Sequence, residues 1–229
     1  MKSLRIYLLS ALVALVSSFS VVNAQEETAS ESPFSIGADV VSNYVWRGTK
    51  FGGPSIQPGL EVGLGNFAVG AWGSFSLNGF DIQENDFYIT YSVGNLGLSL
   101  TDYYYQGPLF DFSDTAGSHA FEVGASYNFG NFGLLAGLVL NEAPGAGSAG
   151  GDLYIEANYA FEYFSLFAGV GNGWYTLDED PTKDEFGLVN LGISAEKEIN
   201  TGNLSIPVFG SVIVNPQAEI AYLVVGFSF

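Results

Sequence analysis

The sequence predicts an all-β fold, an antiparallel transmembrane β-barrel of about twelve strands. From Phe34 onward, apolar and polar residues alternate with period two, and Gly-Asn pairs separate several of the alternating segments. The connections between segments are short and long in turn. Short turns on the periplasmic side and longer extracellular loops are typical of barrels in bacterial outer membranes, so these three observations predict that architecture.

The first part of the chain predicts export. Lys2 and Arg5 precede an apolar stretch over 6–22, and Val22-Asn23-Ala24 forms a small-residue cleavage pattern, so we expect residues 1–24 to be a signal peptide. A membrane-spanning helix is the alternative, but an acidic, polar stretch follows the cleavage pattern. We expect residues 25–33 to be a flexible leader and residues 34–229 to be the barrel, since no later stretch has the roughly 20 apolar residues of a spanning helix.

The predicted strands follow one another along the whole of the barrel domain. In one of them Phe121, Val123 and Ala125 alternate with Glu122 and Gly124. The strands are expected at about 34–47, 54–64, 67–77, 85–93, 96–106, 119–129, 132–140, 152–162, 164–175, 186–198, 204–214 and 218–229. An even count places both ends of the domain on the short-turn side, and ten or fourteen strands are the alternatives.

The composition limits the partners of the chain. It has 24 acidic residues against 6 Lys and Arg, and it has no cysteine. An acidic surface repels phosphate backbones, which argues against nucleic acid, and the lack of cysteine excludes disulfides. The expected partners are outer-membrane lipid and lipopolysaccharide, the outer-membrane assembly machinery and small solutes.

Aromatic residues are frequent near the predicted strand ends, where they predict interfacial girdles. The core of a soluble β-sandwich is the alternative interpretation of the same residues. The girdle candidates are Tyr44, Trp46, Phe87, Tyr103, Tyr104, Tyr105, Phe161, Phe164, Trp174, Tyr175, Phe227 and Phe229. Phe229 also ends an alternating strand, which is the pattern of an assembly signal, so we expect it to matter for insertion into the outer membrane.

No residue pattern predicts an enzyme or a cofactor site. The single histidine, His119, is interpreted as an exposed loop residue, and no Gly-x-Ser-x-Gly motif is present. The acidic segment 178–185 does not match the spacing of an EF-hand and is expected to be a solvated loop. We therefore predict no enzymatic activity, no cofactor and no metal.

Charged and amide side chains on the inward parity are the candidate functional residues. The parity of the first predicted strand places Tyr44 and Trp46 toward lipid and Arg47 inside, where Glu61 on the adjacent strand is its expected partner. Bracing of the barrel and a constriction role for Arg47 stay equally open. The candidates for lining the lumen or its constriction are Asp39, Asn43, Arg47, Gln57, Glu61, Glu122, Asn128, Glu156 and Asn158.

The segment over 42–49, Ser-Asn-Tyr-Val-Trp-Arg-Gly-Thr, followed by Pro-Ser-Ile-Gln-Pro-Gly-Leu-Glu over 54–61, resembles the opening of the TorF-type porin family. The matching positions are Tyr44, Arg47, Gly48, Gln57 and Gly59, and Thr49 stands where serine is common in the family. The resemblance covers about twenty residues, and it implies a barrel in the outer membrane and porin activity.

Two functions follow as hypotheses. The first is a porin-like outer-membrane channel for passive diffusion of small solutes, with a cation preference from the excess of inward carboxylates. The alternative is a non-conducting structural or binding barrel that acts through its acidic extracellular loops. Conductance separates the two.

Overall fold

Twelve strands form one closed antiparallel barrel, as the alternation predicts. The computed structural model describes residues 33–79, 83–105, 107–176, 185–202 and 204–229. The predicted signal peptide and residues 25–32 of the predicted leader lie outside these residues, as does most of the acidic segment 178–185. The wall strands are β1 (Phe34–Val41), β4 (Ser55–Leu64), β5 (Phe67–Ser76), β6 (Glu84–Val93), β7 (Leu96–Tyr105), β8 (His119–Phe129), β9 (Phe132–Val139), β10 (Leu153–Ala160), β11 (Ser165–Gly171), β12 (Gly187–Thr201), β13 (Leu204–Asn215) and β14 (Ile220–Ser228).

Connections at one end of the barrel are tight and those at the other are long, as predicted. Gly65-Asn66, Gly94-Asn95 and Gly130-Asn131 form the turns of three hairpins, and the three glycines have φ values of 66°, 57° and 66°. Positive φ at the first of the two central residues is the pattern of a type II′ turn, which explains the glycine at that position. We call this end the turn end and the opposite end the loop end.

The two faces of the wall differ in composition. On β8, Glu122 and Gly124 are buried while Val123 and Ala125 are exposed, and on β10 Glu156 is buried while Ile155 is exposed. The outer face carries exposed aliphatic and aromatic side chains from strands all around the barrel, which we call the apolar belt. The belt includes Ile36, Leu60, Phe67, Val69, Phe87, Ile89, Leu98, Leu100, Val123, Leu134, Leu138, Ile155, Leu166, Leu191, Ile193, Val212, Leu223 and Val225.

The barrel closes where β1 meets β14, and we call this junction the seam. Its ladder pairs Asp39 with Ser228, Val40 with Phe227 and Val41 with Gly226. Below them, the Ala38 and Phe229 backbones exchange two hydrogen bonds of 3.0 Å. On its other side β1 pairs with β4 from Phe34 to Val41, so β1 joins the two ends of the sheet.

The first predicted strand, 34–47, is wrong beyond Val41. There the chain leaves the wall and forms two short strands, β2 (Tyr44–Trp46) and β3 (Thr49–Gly52), which pair only with each other. Two short 3-10 helices, Pro144–Ala146 and Gly173–Tyr175, lie in the loops after β9 and β11. In the described part of the chain no helix has the length and apolar character to cross a membrane.

Candidate functional site in the barrel lumen

The hairpin of β2 and β3, residues 44–52, lies inside the barrel at the loop end, and we call it the plug hairpin. Its strands pair Trp46 with Thr49, and the turn between them is Arg47-Gly48, with φ values of 48° and 82°. Tyr44 and Trp46, which we predicted to face lipid, are only 7% and 5% exposed and pack within the lumen. The prediction failed because parity holds only while a strand stays in the wall.

Aromatic rings fix the plug hairpin against the wall. The Trp46 ring centroid lies 5.2 Å from that of Tyr103 on β7 and 5.2 Å from that of Trp174 in the loop after β11. Tyr44 lies 5.6 Å from Trp72 on β5, and its hydroxyl donates a 2.7 Å hydrogen bond to Glu84. These contacts attach the hairpin to strands on several sides of the lumen. Aromatic pairs of this geometry each contribute about 0.5–1.5 kcal/mol beyond their buried area.

Little space remains around the plug hairpin. A cavity of about 30 Å³ lies between it and the wall, lined in part by Trp46, Trp72 and Asp86. Such a volume has room for one or two water molecules. In this conformation aromatic side chains of the plug hairpin and the wall pack together at the loop end of the lumen.

Arg47, at the tip of the plug hairpin, forms a buried ion pair with Glu122 of β8. Its Nη1 donates to Glu122 Oε2 at 2.5 Å, and its Nη2 donates to Glu122 Oε1 at 2.9 Å. The predicted partner Glu61 is wrong: Glu61 accepts a 3.2 Å hydrogen bond from Tyr88 instead. The hairpin carries Arg47 across the lumen to β8, away from the strand that holds Glu61.

Three aromatic rings surround the guanidinium of Arg47. Its Cζ lies 4.4 Å from the ring centroid of Tyr154, 4.5 Å from that of Trp46 and 5.0 Å from that of Tyr175. The Tyr175 hydroxyl also accepts from Arg47 Nη1 at 2.6 Å and donates to Glu122 Oε2 at 2.8 Å. The π faces and the carboxylate both favour a planar delocalised cation at this place.

A second carboxylate, Glu156 on β10, lies beside this ion pair. Its Oε2 accepts from Tyr154 Oη at 2.5 Å and from Asn190 Nδ2 at 2.9 Å. Its Oε1 is buried and has no hydrogen-bond partner, and neither has Asn190 Oδ1. Arg47 Nε is also buried without a hydrogen-bond partner, so the guanidinium and the acceptors around it are both incompletely paired.

Two glycines let the tip of the plug hairpin approach the wall. The Gly48 carbonyl accepts from Asn215 Nδ2 at 3.2 Å, and a Cβ on Gly48 would lie 1.8 Å from the carbonyl oxygen of Val189. A Cβ on Gly137 of β9 would lie 2.6 Å from the carboxyl carbon of Glu122. Larger residues at either position would displace the tip or the carboxylate that holds it.

The remaining candidates lie apart from this ion pair. Asp39 is buried on β1, and Gln57 is buried on β4, where its amide donates to Ser74 Oγ at 3.2 Å. Asn43 lies where the chain turns away from the wall, and its Nδ2 donates to the Leu223 carbonyl oxygen at 2.9 Å. Asn128 and Asn158 are half-buried near Gly133, toward the turn end. Of the predicted residues, the structure brings together Arg47, Glu122 and Glu156.

Several lumen residues were missed by the sequence analysis. Tyr103, Tyr105, Trp174 and Tyr175, interpreted as girdle aromatics, are in the aromatic cluster around the plug hairpin. Tyr154 shares the inward parity of Glu156, so that signal could have found it. Tyr175 follows the end of β11, and the sequence carries no signal that its loop returns into the lumen.

His119 is also placed differently from our expectation of an exposed loop residue. It is the first residue of β8 and is buried, with Nδ1 3.0 Å from both carboxylate oxygens of Asp102. Its Nε2 lies 3.0 Å from the carbonyl oxygen of Leu109, in the loop after β7. His119 therefore attaches that loop to the strands β7 and β8.

Comparison with known proteins adds no family assignment: no protein-family model matches the chain, and the search of curated proteins found no match. The resemblance of 42–61 to TorF-type porins remains an expectation from those residues alone.

Proposed function

We propose that this chain is a bacterial outer-membrane barrel, exported by residues 1–24, that provides a narrow porin-like passage for small solutes. In this proposal the plug hairpin closes the passage in the conformation described above. The membrane location is supported by the apolar belt: exposed aliphatic side chains around a closed barrel suit lipid, and they would promote aggregation in water. Lipid and lipopolysaccharide would then contact the belt and the loop end.

The observation that carries the proposal is the separate pairing of the plug hairpin. Its strands form their own two-stranded sheet, while the twelve wall strands close without them. The hairpin can therefore leave the lumen without breaking a wall ladder. The turn-end half of the lumen has small or polar side chains at positions such as Gly63, Ser99, Asn158 and Ser194, which suits a wet passage.

Charge supports a preference for cations in this passage. The described lumen residues include several acidic side chains and one arginine, Arg47. The acidic residues are Asp39, Glu61, Glu84, Asp86, Glu122 and Glu156. An excess of fixed negative charge along a narrow path attracts cations and repels anions.

The seating of the plug hairpin favours a second candidate function, a non-conducting barrel that binds partners through its loops. Its turn contacts β12 and β13 through Gly48, and its arginine is in a buried bidentate ion pair. Breaking one partner of such a pair costs about 3–5 kcal/mol, which would keep the lumen closed for most of the time.

Single-channel recording in planar bilayers separates the two functions. We would compare the native chain with a variant in which residues 44–52 are replaced by a Gly-Ser segment of equal length. The channel proposal predicts brief or small openings for the native chain and a steady, larger, cation-preferring conductance for the variant. Changing Glu61, Glu122 and Glu156 to glutamine in that variant should lower the cation preference.

Folding of each variant is checked by heat modifiability on gels before recording. A folded variant without the plug hairpin that carries no current would contradict the channel proposal and favour the non-conducting barrel. Unchanged ion selectivity in the open triple variant would contradict the cation preference alone.

A further inference from the structure

The site that holds Arg47 is built almost entirely by the wall and its loops. Glu122 comes from β8, Tyr154 and Glu156 come from β10, Tyr175 comes from the loop after β11, and Asn190 comes from β12. We call these five residues the guanidinium cage. None belongs to the plug hairpin, so the cage would remain in the wall if the hairpin left the lumen.

We propose that the guanidinium cage is a binding site for a small external organic cation bearing a guanidinium group, and that Arg47 is its built-in occupant. The inference rests on the proposed function to the extent that such a cation would be a solute of the passage. It adds to that function a class of solute, the guanidinium-bearing cations, which would compete with Arg47 of the plug hairpin for the guanidinium cage.

The geometry of the bound Arg47 defines the ligand. Two hydrogen bonds, of 2.5 and 2.9 Å, join its two Nη atoms to the two oxygens of Glu122. The rings of Tyr154 and Tyr175 stand 4.4 and 5.0 Å from its Cζ. An ammonium group is a point charge and cannot make the bidentate fork, so a guanidinium fits the cage better.

The cage also has unused capacity for a cation. Glu156 is 1% exposed, and its Oε1 has no partner, although the carboxyl lies beside Arg47. The cage thus supplies two carboxyl groups to one described cation. If the plug hairpin left, these buried groups would lose Arg47, and a new cation would restore the compensation.

A metal ion suits the cage less well than an organic cation does. Calcium and magnesium need six or more oxygen ligands, whereas this site presents two carboxyl groups and the faces of tyrosine rings. In the described part of the chain no group of three or more His, Cys, Asp or Glu residues could hold a metal ion.

The test is chemical rescue of an empty cage in the full chain, refolded in detergent. Arg47→Ala should lower the thermal midpoint of unfolding, and millimolar methylguanidinium should raise it again in a saturable way. Urea has a similar planar shape without the charge, and it should not raise the midpoint. Sodium chloride at equal ionic strength should not raise it either. Binding should also change the fluorescence of Trp46 and Trp174, which adjoin the cage.

Matched variants identify the carboxylate that carries the effect. In Arg47→Ala with Glu122→Gln, the affinity for methylguanidinium should fall about tenfold or more, because the charge-assisted fork is lost. Lys197→Ala removes an equal charge at an exposed position on β12 and leaves Arg47 in the cage, so the ligand should not raise its thermal midpoint of unfolding. If Arg47→Ala does not fold, Arg47→Lys replaces it, with a smaller saturable rescue that Glu122→Gln also abolishes.

Equal stabilisation by urea or sodium would overturn the site, and so would rescue that persists after Glu122→Gln. The same ligand is then added to the native chain in planar bilayers, where displacement of Arg47 should increase the open time. Saturable rescue in detergent together with a silent bilayer would uphold the site and contradict the channel. Conductance without rescue in detergent would uphold the channel and overturn the site.

Discussion

At the scale of single residues, Arg47 connects the backbone of the plug hairpin to the electrostatics of the lumen. It has a φ of 48°, which is unusual for a residue with a side chain and costs about 1–2 kcal/mol. The turn compensates this cost because it delivers the guanidinium to Glu122, Tyr154 and Tyr175. Gly48, next to it, has no side chain because the backbone of Val189 occupies that space.

Gly48→Ala should therefore unseat the tip of the plug hairpin. Its Cβ would meet the Val189 carbonyl oxygen at 1.8 Å, so the turn must move. We expect a loss of about 1–3 kcal/mol in the free energy of unfolding, measured by urea titration in detergent, beyond the cost of positive φ itself.

Gly79→Ala is the matched control for this substitution. Gly79 has a similar φ of 75°, but a Cβ there would meet no atom within 4 Å. It should show only the backbone cost, about 1 kcal/mol. Equal losses for the two variants would mean that the turn is not seated against β12.

At the scale of structural elements, the wall strands follow from sequence and the plug hairpin does not. Strands such as β8 and β10 alternate between outward apolar and inward polar or small residues, and β8 ends at the Gly130-Asn131 turn, so local chemistry determines them. Tyr44 and Trp46 continue the alternation of β1, and nothing local marks the point where the chain leaves the wall. The reason is tertiary: the aromatic cluster in the lumen is formed by residues distant in sequence.

The candidate site likewise has a part that follows from sequence and a part that depends on tertiary contacts. Parity on their own strands identified Glu122 and Glu156 as inward residues, and composition identified Arg47 as a rare cation. Their meeting could not be predicted, because it depends on how far the hairpin reaches across the lumen. The prediction that Glu61 is the partner of Arg47 was wrong for this reason.

The seam between β1 and β14 predicts that the backbone of Phe229 contributes to closing the barrel. Deleting Phe229 removes the two 3.0 Å backbone hydrogen bonds to Ala38, whereas Phe229→Ala keeps them and removes only an exposed ring. We expect the deletion to reduce the heat-modifiable, folded fraction in the outer membrane more than Phe229→Ala does. Equal reductions would assign the effect to the ring and not to closure of the seam.

At the scale of the whole molecule, the wall of the barrel has an apolar outer face, and its inner face carries the buried charged groups together with the aromatic cluster. This difference between the two faces follows from the alternation along each strand, which places Ile155 outside and Glu156 inside. The burial of charge within the lumen and the exposure of aliphatic side chains outside are therefore two results of one pattern.

The apolar belt can be tested by placing a charge on it. Ile155 is 41% exposed on the middle of β10, and Ile155→Arg should cost about 2–4 kcal/mol for a barrel folded into lipid vesicles. Ala116→Arg, at an exposed loop position, is the control and should change stability by about 0.5 kcal/mol or less. A neutral effect of Ile155→Arg in vesicles would mean that β10 does not face lipid.

The two ends of the plug hairpin join the wall at neighbouring positions, since Val41 at the end of β1 pairs with Ser55 at the start of β4. The hairpin is thus an arm tethered at a single point of the rim, and no segment must be threaded through the wall for it to swing. Four residue steps lead from Tyr44 to the tip at Gly48, a span of about 13 Å in extended conformation. Swung outward, the arm would project beyond the rim by that length and display an indole and a guanidinium outside the barrel.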